Sequence, residues 1–113
     1  MMLTLYLAAA LLCTPDQCFP ALVGRDTPVG RFPIVRRYVQ ARGYGGDVLQ
    51  FAETDRDIMA IHRVWLGRPA ERRAERLASG DAARRRDVTN GCVNVMPDVY
   101  ERIVGARVVE VRP

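Results

Sequence analysis

With 113 residues, the chain has the length of a single domain and is too short for a catalytic unit joined to a separate binding module. All 17 basic residues are arginine, and with 13 acidic residues they give a formal net charge of +4 and an isoelectric point near 9.4. This charge favours acidic surroundings such as nucleic acid, anionic lipid or an anionic polymer, without choosing among them. One histidine and three cysteines, with no Cys-x-x-Cys pair, are too few for a metal site, so we predict no metal and no cofactor.

The first twelve residues, Met1–Leu12, form an almost uncharged apolar run. A membrane-spanning helix needs about 20 apolar residues, so this run is too short to span a bilayer. Its length suits the apolar part of an export signal, although no positive residue precedes it. A buried first strand and an uncleaved anchor are the alternatives. We favour the export signal and therefore assign the folded domain to residues 13–113. Any membrane contact is predicted to involve only residues 1–12.

An odd number of cysteines in an exported protein suggests one bonded pair and one free thiol. Cys13 and Cys18 flank a short turn that contains Pro15, and a bond between them would leave Cys92 reduced. The alternative is that none of the three is bonded.

Short apolar runs separated by turn residues predict a mainly β domain. In chain order, the predicted strands cover residues 19–23, 31–39, 47–52, 58–65 and 106–111, with loops or turns at residues 24–30 and 43–46. The last of the four early strands carries His62, the only histidine. There, period-two alternation puts His62 on an otherwise apolar face, where partial desolvation would lower its pKa and keep it available as a base.

The period changes after Pro69, which suits the first turn of a helix, and Gly80 is a natural stop. We predict that Arg72, Arg73 and Arg76 occupy the solvent face of this helix. A polar loop follows, and a second short helix is predicted from Pro97 to Gly105.

The stretch Thr89–Asn94, with sequence Thr-Asn-Gly-Cys-Val-Asn, contains the candidate nucleophile. Cysteine reacts as the thiolate, and His62 is the one imidazole able to accept the thiol proton. Gly91 allows backbone conformations forbidden to other residues and a close approach to a substrate. A buried structural cysteine and a structural histidine are the plain alternatives.

These pieces together resemble the catalytic domain of the L,D-transpeptidases, bacterial cell-wall enzymes with a cysteine nucleophile. Thr27–Phe32 is similar to the family's Thr-Pro-x-Gly-x-Phe segment, Ile61 and His62 to its strand-borne histidine, and Thr89–Asn94 to its Ser/Thr-x-Gly-Cys-hydrophobic-Asn signature. The resemblance covers roughly residues 18–112. It implies a compact β-sandwich or barrel-like fold with two short helices, and a protein exported to the periplasm or cell envelope of a bacterium.

The chain departs from the family pattern at two points. Asn90 stands where the family has a histidine before the Gly-Cys pair. The connection from His62 to Thr89 is also longer than in the commonest form, and the predicted helix after Pro69 accounts for the extra length.

The resemblance implies that Cys92 attacks a stem-peptide carbonyl and forms a thioester, with His62 as general base and backbone N–H groups around Gly91 and Cys92 holding the oxyanion. Thr89 would orient the loop or His62, or simply stabilise a turn. Because the substrate carries carboxylates, we predict Arg63, beside His62, as a substrate-binding residue. The other substrate-binding predictions are Tyr44, Asn90 and Asn94.

Three other functions remain open at this point. Water in place of the acceptor amine would give an L,D-carboxypeptidase, and Asn90 could mark a catalytically weak peptidoglycan-binding accessory protein. Nucleic-acid binding would have to use Arg72, Arg73, Arg76 and Arg84–Arg86, which lack interleaved aromatic side chains. We therefore expect peptidoglycan stem peptides as the partner, no nucleic acid, and a monomer.

Overall fold

Two β-sheets and two short helices make up the protein, in a computed structural model that describes all residues from 1 to 113. The elements are β1 (Met2–Tyr6), β2 (Leu11–Cys13), β3 (Cys18–Pro20), β4 (Gly30–Pro33), β5 (Val35–Tyr38), β6 (Asp47–Glu53), β7 (Ile58–Arg63), α1 (Arg73–Ala78), β8 (Val93–Val95), α2 (Pro97–Ile103) and β9 (Val108–Arg112). The strand order is β3-β2-β1-β9-β4 in the first sheet and β5-β6-β7-β8 in the second. The predicted mainly β fold with two short helices is confirmed.

Strand β1 lies in the middle of the first sheet. It pairs in parallel with β9 and antiparallel with β2, and the side chains of Leu3 and Leu5 are fully buried. The expected membrane contact through Met1–Leu12 is not supported, because Leu3, Leu5, Ala10 and Leu12 are buried in the core and Leu7 packs against it. No helix in the structure has both the length and the apolar character needed to cross a membrane.

The strand predicted over residues 31–39 is two strands that belong to different sheets. Strand β4 pairs with β9 and ends at Pro33, and β5 begins two residues later and pairs with β6. In the antiparallel register Pro33 lies opposite Val108, and its nitrogen faces the free edge of β4, where no ladder bond is lost. Ile34, between the two strands, donates its N–H to the carbonyl oxygen of Arg107 at 2.8 Å.

Strand β7 positions the histidine in the second sheet. It runs antiparallel to β6 and parallel to β8, so that Ile61 pairs with Val93 and His62 with Asn94. The short strand β8 follows Cys92 directly. The pairing therefore brings the histidine strand and the cysteine loop to the same edge of the sheet.

The helix predicted from Pro69 is broken. Residues Pro69–Glu71 form a single 3-10 turn, Arg72 has left-handed backbone angles (φ 52°, ψ 42°), and α1 begins only at Arg73. The N–H of Arg72 caps the first turn by donating to the carbonyl oxygen of Pro69. Because of this break, the side chains after Arg72 do not continue the helical face that starts at Pro69.

The hydrophobic core lies between the two sheets and contains 18 buried residues. Helix α2 closes it with Val99, Tyr100 and Ile103, all of them buried. The spacing of these three side chains, at i, i+1 and i+4, is that of one apolar helix stripe. The core thus fixes the end of β8 through the short connection into α2.

A disulfide joins Cys13 and Cys18 across the hairpin between β2 and β3. Cys92 is the free cysteine. One thiol is therefore available for chemistry.

Candidate active site

A cavity of about 250 Å³ opens at the edge of the second sheet where β7 and β8 meet. Its lining includes five of the eight residues predicted for the site: Cys92, His62, Thr89, Asn90 and Tyr44. It also includes five further residues: Asp57, Ile58, Met59, Trp65 and Arg73. The remaining predicted residues, Gly91, Asn94 and Arg63, lie next to the cavity without lining it.

The cysteine loop is held by the hydroxyl of Thr89. This hydroxyl donates to the carbonyl oxygen of Cys92 at 2.6 Å and accepts from the N–H of Gly91 at 3.0 Å. Gly91 has a φ of +145°, and a Cβ at this position would collide with the sulfur of Met59. The backbone conformation therefore favours glycine here, and a larger residue would also require the end of the Met59 side chain to shift. Thr89 acts through the loop and forms no hydrogen bond with His62.

Only one of the two predicted oxyanion donors is free. The N–H of Gly91 is engaged by Thr89, whereas the N–H of Cys92 makes no hydrogen bond within the protein. A donor at the nucleophile's own backbone nitrogen is well placed for an oxyanion that forms on the carbon attacked by its sulfur.

His62 is buried, with 2% of its surface exposed, and this burial lowers its pKa from 6.5 to about 4. The ring lies 2.6 Å, through Nδ1, from the carbonyl oxygen of Arg63. Because a carbonyl only accepts hydrogen bonds, Nδ1 carries the proton and Nε2 keeps its lone pair. The edge-to-face contact with Tyr44, at 4.7 Å between ring centroids, further fixes the ring. The predicted lowering of the pKa is confirmed.

Burial raises the pKa of the Cys92 thiol. A backbone hydrogen bond from Ala60 and the charge of Arg73 lower that pKa, and the charge of Asp57 raises it, but burial dominates. The thiol pKa therefore lies well above that of His62. The resting pair consists of a neutral thiol and a neutral imidazole, and the sulfur lies 3.5 Å from the carbonyl oxygen of Ile58.

Arg63 is not brought into the cavity. Its Nη1 donates to Asp47 Oδ1 at 2.9 Å, its Nη2 donates to Glu101 Oε1 at 2.8 Å, and its guanidinium lies 4.1 Å from the centroid of the Tyr100 ring. Strand alternation turns its side chain away from that of His62. Arg63 contributes to the site through its backbone carbonyl oxygen, which accepts the hydrogen bond from Nδ1 of His62 and so orients the imidazole.

Arg73 is the cation that lines the cavity, and the prediction that it lies on a solvent face is wrong. Its side chain is 12% exposed and its guanidinium lies 5.1 Å from the Trp65 ring centroid. The break at Arg72 turns the Arg73 side chain inward. No sequence pattern predicts a left-handed backbone conformation at Arg72. A continuous helix was the natural prediction from the apolar spacing.

Asn94 braces the wall of the cavity from behind. It is fully buried, and its Oδ1 accepts from the N–H of Trp65 at 3.1 Å and from Nη1 of Arg73 at 3.2 Å. Two donors on one oxygen fix the orientation of the amide. Asn90, in contrast, is exposed at the cavity rim.

No group of three or more His, Cys, Asp or Glu side chains is arranged to hold a metal ion. The groups at this cavity that can take part in chemistry include one thiol, one imidazole, one free backbone N–H, the carboxylate of Asp57 and the guanidinium of Arg73.

The solved structures similar to this chain include two L,D-transpeptidases. One is the LD transpeptidase LdtMt1 in complex with imipenem, with a TM-score of 0.63 and 15% sequence identity, covering 98% of this chain and 58% of that one. The other is an L,D-transpeptidase from Mycobacterium smegmatis, with a TM-score of 0.57 and 16% identity, covering 99% of this chain and 58% of that one. The chain thus matches a little over half the length of each.

No model of a known protein family matches the chain, and no curated protein is similar to it in sequence. The likeness lies in the arrangement of the backbone. The chain has the fold of the L,D-transpeptidase structures.

Proposed function

We propose that the protein is a cysteine acyltransferase that acts on peptidoglycan stem peptides, as an L,D-transpeptidase. The observation that carries the proposal is the pair formed by the single free thiol, Cys92, and His62 in one cavity. The imidazole has its proton fixed on Nδ1 and its lone pair on Nε2. At neutral pH such a ring is unprotonated and can accept the thiol proton while the sulfur attacks a carbonyl carbon.

In the first half-reaction, Nε2 of His62 takes the thiol proton as Sγ of Cys92 attacks the carbonyl carbon of the donor peptide. The free N–H of Cys92 stabilises the oxyanion, an interaction worth on the order of 3 kcal/mol. The carbon–nitrogen bond then breaks, the imidazolium returns its proton to the leaving amine, and a thioester remains on Cys92.

In the second half-reaction, an acceptor amine attacks the thioester carbonyl while His62 removes the amine proton. The new amide bond forms and the thiolate is reprotonated, which restores the starting state. With water as the acceptor, the same steps give a carboxypeptidase.

An extracytoplasmic location fits this proposal. The disulfide between Cys13 and Cys18 belongs to an oxidising compartment, since cytosolic thiols are kept reduced. We therefore place the protein in the cell envelope, where peptidoglycan is.

Covalent labelling by imipenem, the compound bound in one of the similar structures, tests the nucleophile. We expect the intact mass of the purified protein to increase by one imipenem, with the adduct on Cys92. Cys92→Ala should give no adduct, and His62→Gln should slow labelling about 100-fold or more. Arg72→Gln, at a side chain that is 70% exposed, is the control and should label at the wild-type rate. Absence of an adduct on the wild-type protein would refute the enzyme proposal in favour of an accessory binding protein.

Incubation with tetrapeptide muropeptides, followed by mass spectrometry, identifies the reaction. Cross-linked dimers are the expected product of transpeptidation. Tripeptides alone would identify the protein as a carboxypeptidase, and unchanged tetrapeptides would contradict both activities.

A further inference from the structure

The cavity that contains Cys92 and His62 adjoins a second one. This second cavity, also of about 250 Å³, shares four lining residues with the first: Trp65, Arg73, Thr89 and Asn90. Its other lining residues are Arg68, Glu71 and Val88. Arg73 therefore stands between the two, within reach of a molecule bound beside Cys92.

The guanidinium of Arg73 has more donors than the protein uses. Of its five N–H groups, one on Nε donates to Glu71 Oε1 at 3.3 Å and one on Nη1 donates to Asn94 Oδ1 at 3.2 Å. The other three, including both on Nη2, find no acceptor in the protein, although the side chain is only 12% exposed. The free Nη2 is accessible to solvent while the rest of the side chain is held in place, so the guanidinium is arranged to receive an anion.

The second cavity is also positively charged overall. Arg68 and Arg73 line it against the single carboxylate of Glu71. The Trp65 ring and the buried amide of Asn94 hold the Arg73 guanidinium in place, so little side-chain freedom is lost when a ligand binds.

Two neighbouring arginines lack these properties. The terminal nitrogens of Arg63 donate hydrogen bonds to the carboxylates of Asp47 and Glu101 and to the carbonyl oxygen of Tyr44. Arg72 points into solvent with 70% of its side chain exposed. Of the three, Arg73 alone combines a fixed position, free donors and a place beside the nucleophile.

We propose that Arg73 binds a free carboxylate of the peptide substrate at the junction of the two cavities, with Arg68 adding positive charge on the far side. The guanidinium would hold the carboxylate through Nη1 and Nη2 and thereby select acyl donors or acceptors with an anionic group close to the reacting bond. This selectivity rests on the proposed acyl transfer, but the carboxylate site itself can be tested without it.

Alkylation of Cys92 provides that test, because it is the one free thiol. The rates with iodoacetate, which carries a carboxylate, and with neutral iodoacetamide are measured on the same protein. The same Cys92 thiolate attacks both reagents and displaces iodide from each, so the ratio of the two rates cancels any change in the thiol pKa. We expect Arg73→Gln to lower the iodoacetate-to-iodoacetamide ratio about three- to tenfold. In the wild type, raising the salt concentration should lower the ratio in the same direction.

The matched control is Arg72→Gln, which removes the same charge one residue away and should change the ratio by less than about twofold. Arg73→Lys should keep most of the ratio, because the positive charge remains. Thermal unfolding of each variant identifies any that fails to fold. If Arg73→Gln fails, the salt dependence of the ratio in the wild type decides, and a ratio that does not fall with salt overturns the inference. An unchanged ratio in Arg73→Gln, or an equal fall in Arg72→Gln, would overturn the inference, even for a protein that cross-links muropeptides. A fall specific to Arg73 in a protein that leaves muropeptides unchanged would support the carboxylate site and refute the proposed function.

Discussion

The hydroxyl of Thr27 donates a hydrogen bond of 2.8 Å to the carbonyl oxygen of Gly91, a residue 64 positions later in the chain. The same hydroxyl accepts from the N–H of Gly24 at 3.1 Å, and Thr27 is buried. A Cβ at Gly24 would meet the backbone of Thr89 and of Gly91, so the two segments are in direct contact. The turn that begins the Thr-Pro-x-Gly-x-Phe segment is thus part of the support of the Cys92 loop.

We predict that Thr27→Val lowers the free energy of unfolding by about 2 kcal/mol. The substitution keeps the shape of the side chain but leaves a buried carbonyl and a buried N–H without partners. Urea unfolding gives the magnitude. Thr27→Ser keeps the hydroxyl and should lose less, so equal stability of Thr27→Val and the wild type would show that this hydrogen bond does not hold the loop.

The protonation of the resting pair predicts the pH dependence of Cys92 alkylation. Because the thiol pKa is raised and the pKa of His62 is lowered to about 4, no thiolate–imidazolium pair forms near neutral pH. The rate of alkylation by iodoacetamide should rise continuously from pH 6 to pH 9. A plateau that begins near pH 6 would indicate a preformed ion pair and contradict this assignment.

Two charged side chains at the cavity should shift the pH dependence of Cys92 alkylation in opposite directions. Asp57 raises the pKa of Cys92 and Arg73 lowers it. We predict that Asp57→Asn shifts the profile to lower pH and that Arg73→Gln shifts it to higher pH. Arg72→Gln should leave it unchanged, and shifts of the same sign in both cavity variants would exclude a direct effect of charge.

Much of the site could be predicted from local sequence. The β-strand pattern around His62 and the glycine before Cys92 are each visible within a few residues. The pairing of β7 with β8, which brings the two motifs together, is a long-range contact that no local pattern specifies.

The two arginines were harder to predict because their roles depend on distant partners. Arg63 is paired by Asp47 and Glu101, which lie 16 and 38 positions away along the chain. Arg73 is turned inward by the left-handed conformation of Arg72, which replaces the continuous helix that the sequence favours. A prediction from residue spacing assumes a regular helix or strand. One residue with irregular backbone angles is enough to place the following side chains on the opposite face.

The burial of His62 predicts how stability depends on pH. Its pKa is 6.5 as a free side chain and about 4 in the folded protein, so the unfolded chain binds the proton more readily. The stability contributed by neutral His62 is complete above pH 6.5 and is lost as the pH falls from 6.5 towards 4. The loss should reach about 3 kcal/mol. Urea unfolding at several pH values measures it, and His62→Gln should remove most of the dependence in this window. An equally steep dependence in His62→Gln would assign it to other groups.

The Arg63 side chain should matter for stability and not for carboxylate recognition. Asp47 is buried and receives hydrogen bonds from Tyr100 Oη, Arg63 Nη1 and Arg36 Nε, all at 2.8 to 2.9 Å. Burial raises the pKa of Asp47, but these three hydrogen bonds together lower it below its usual value. Arg63→Gln removes one cation from a buried carboxylate, and we predict a loss of about 3 kcal/mol in the free energy of unfolding.

The double variant Arg63→Gln/Asp47→Asn should regain part of this loss, because no buried carboxylate is then left without its cation. At temperatures where Arg63→Gln remains folded, its ratio of iodoacetate to iodoacetamide alkylation at Cys92 should equal that of the wild type. Arg73→Gln should behave in the opposite way, with a changed ratio and a smaller loss of stability. A fall in the ratio for Arg63→Gln would return Arg63 to the substrate-binding role that its position beside His62 suggested.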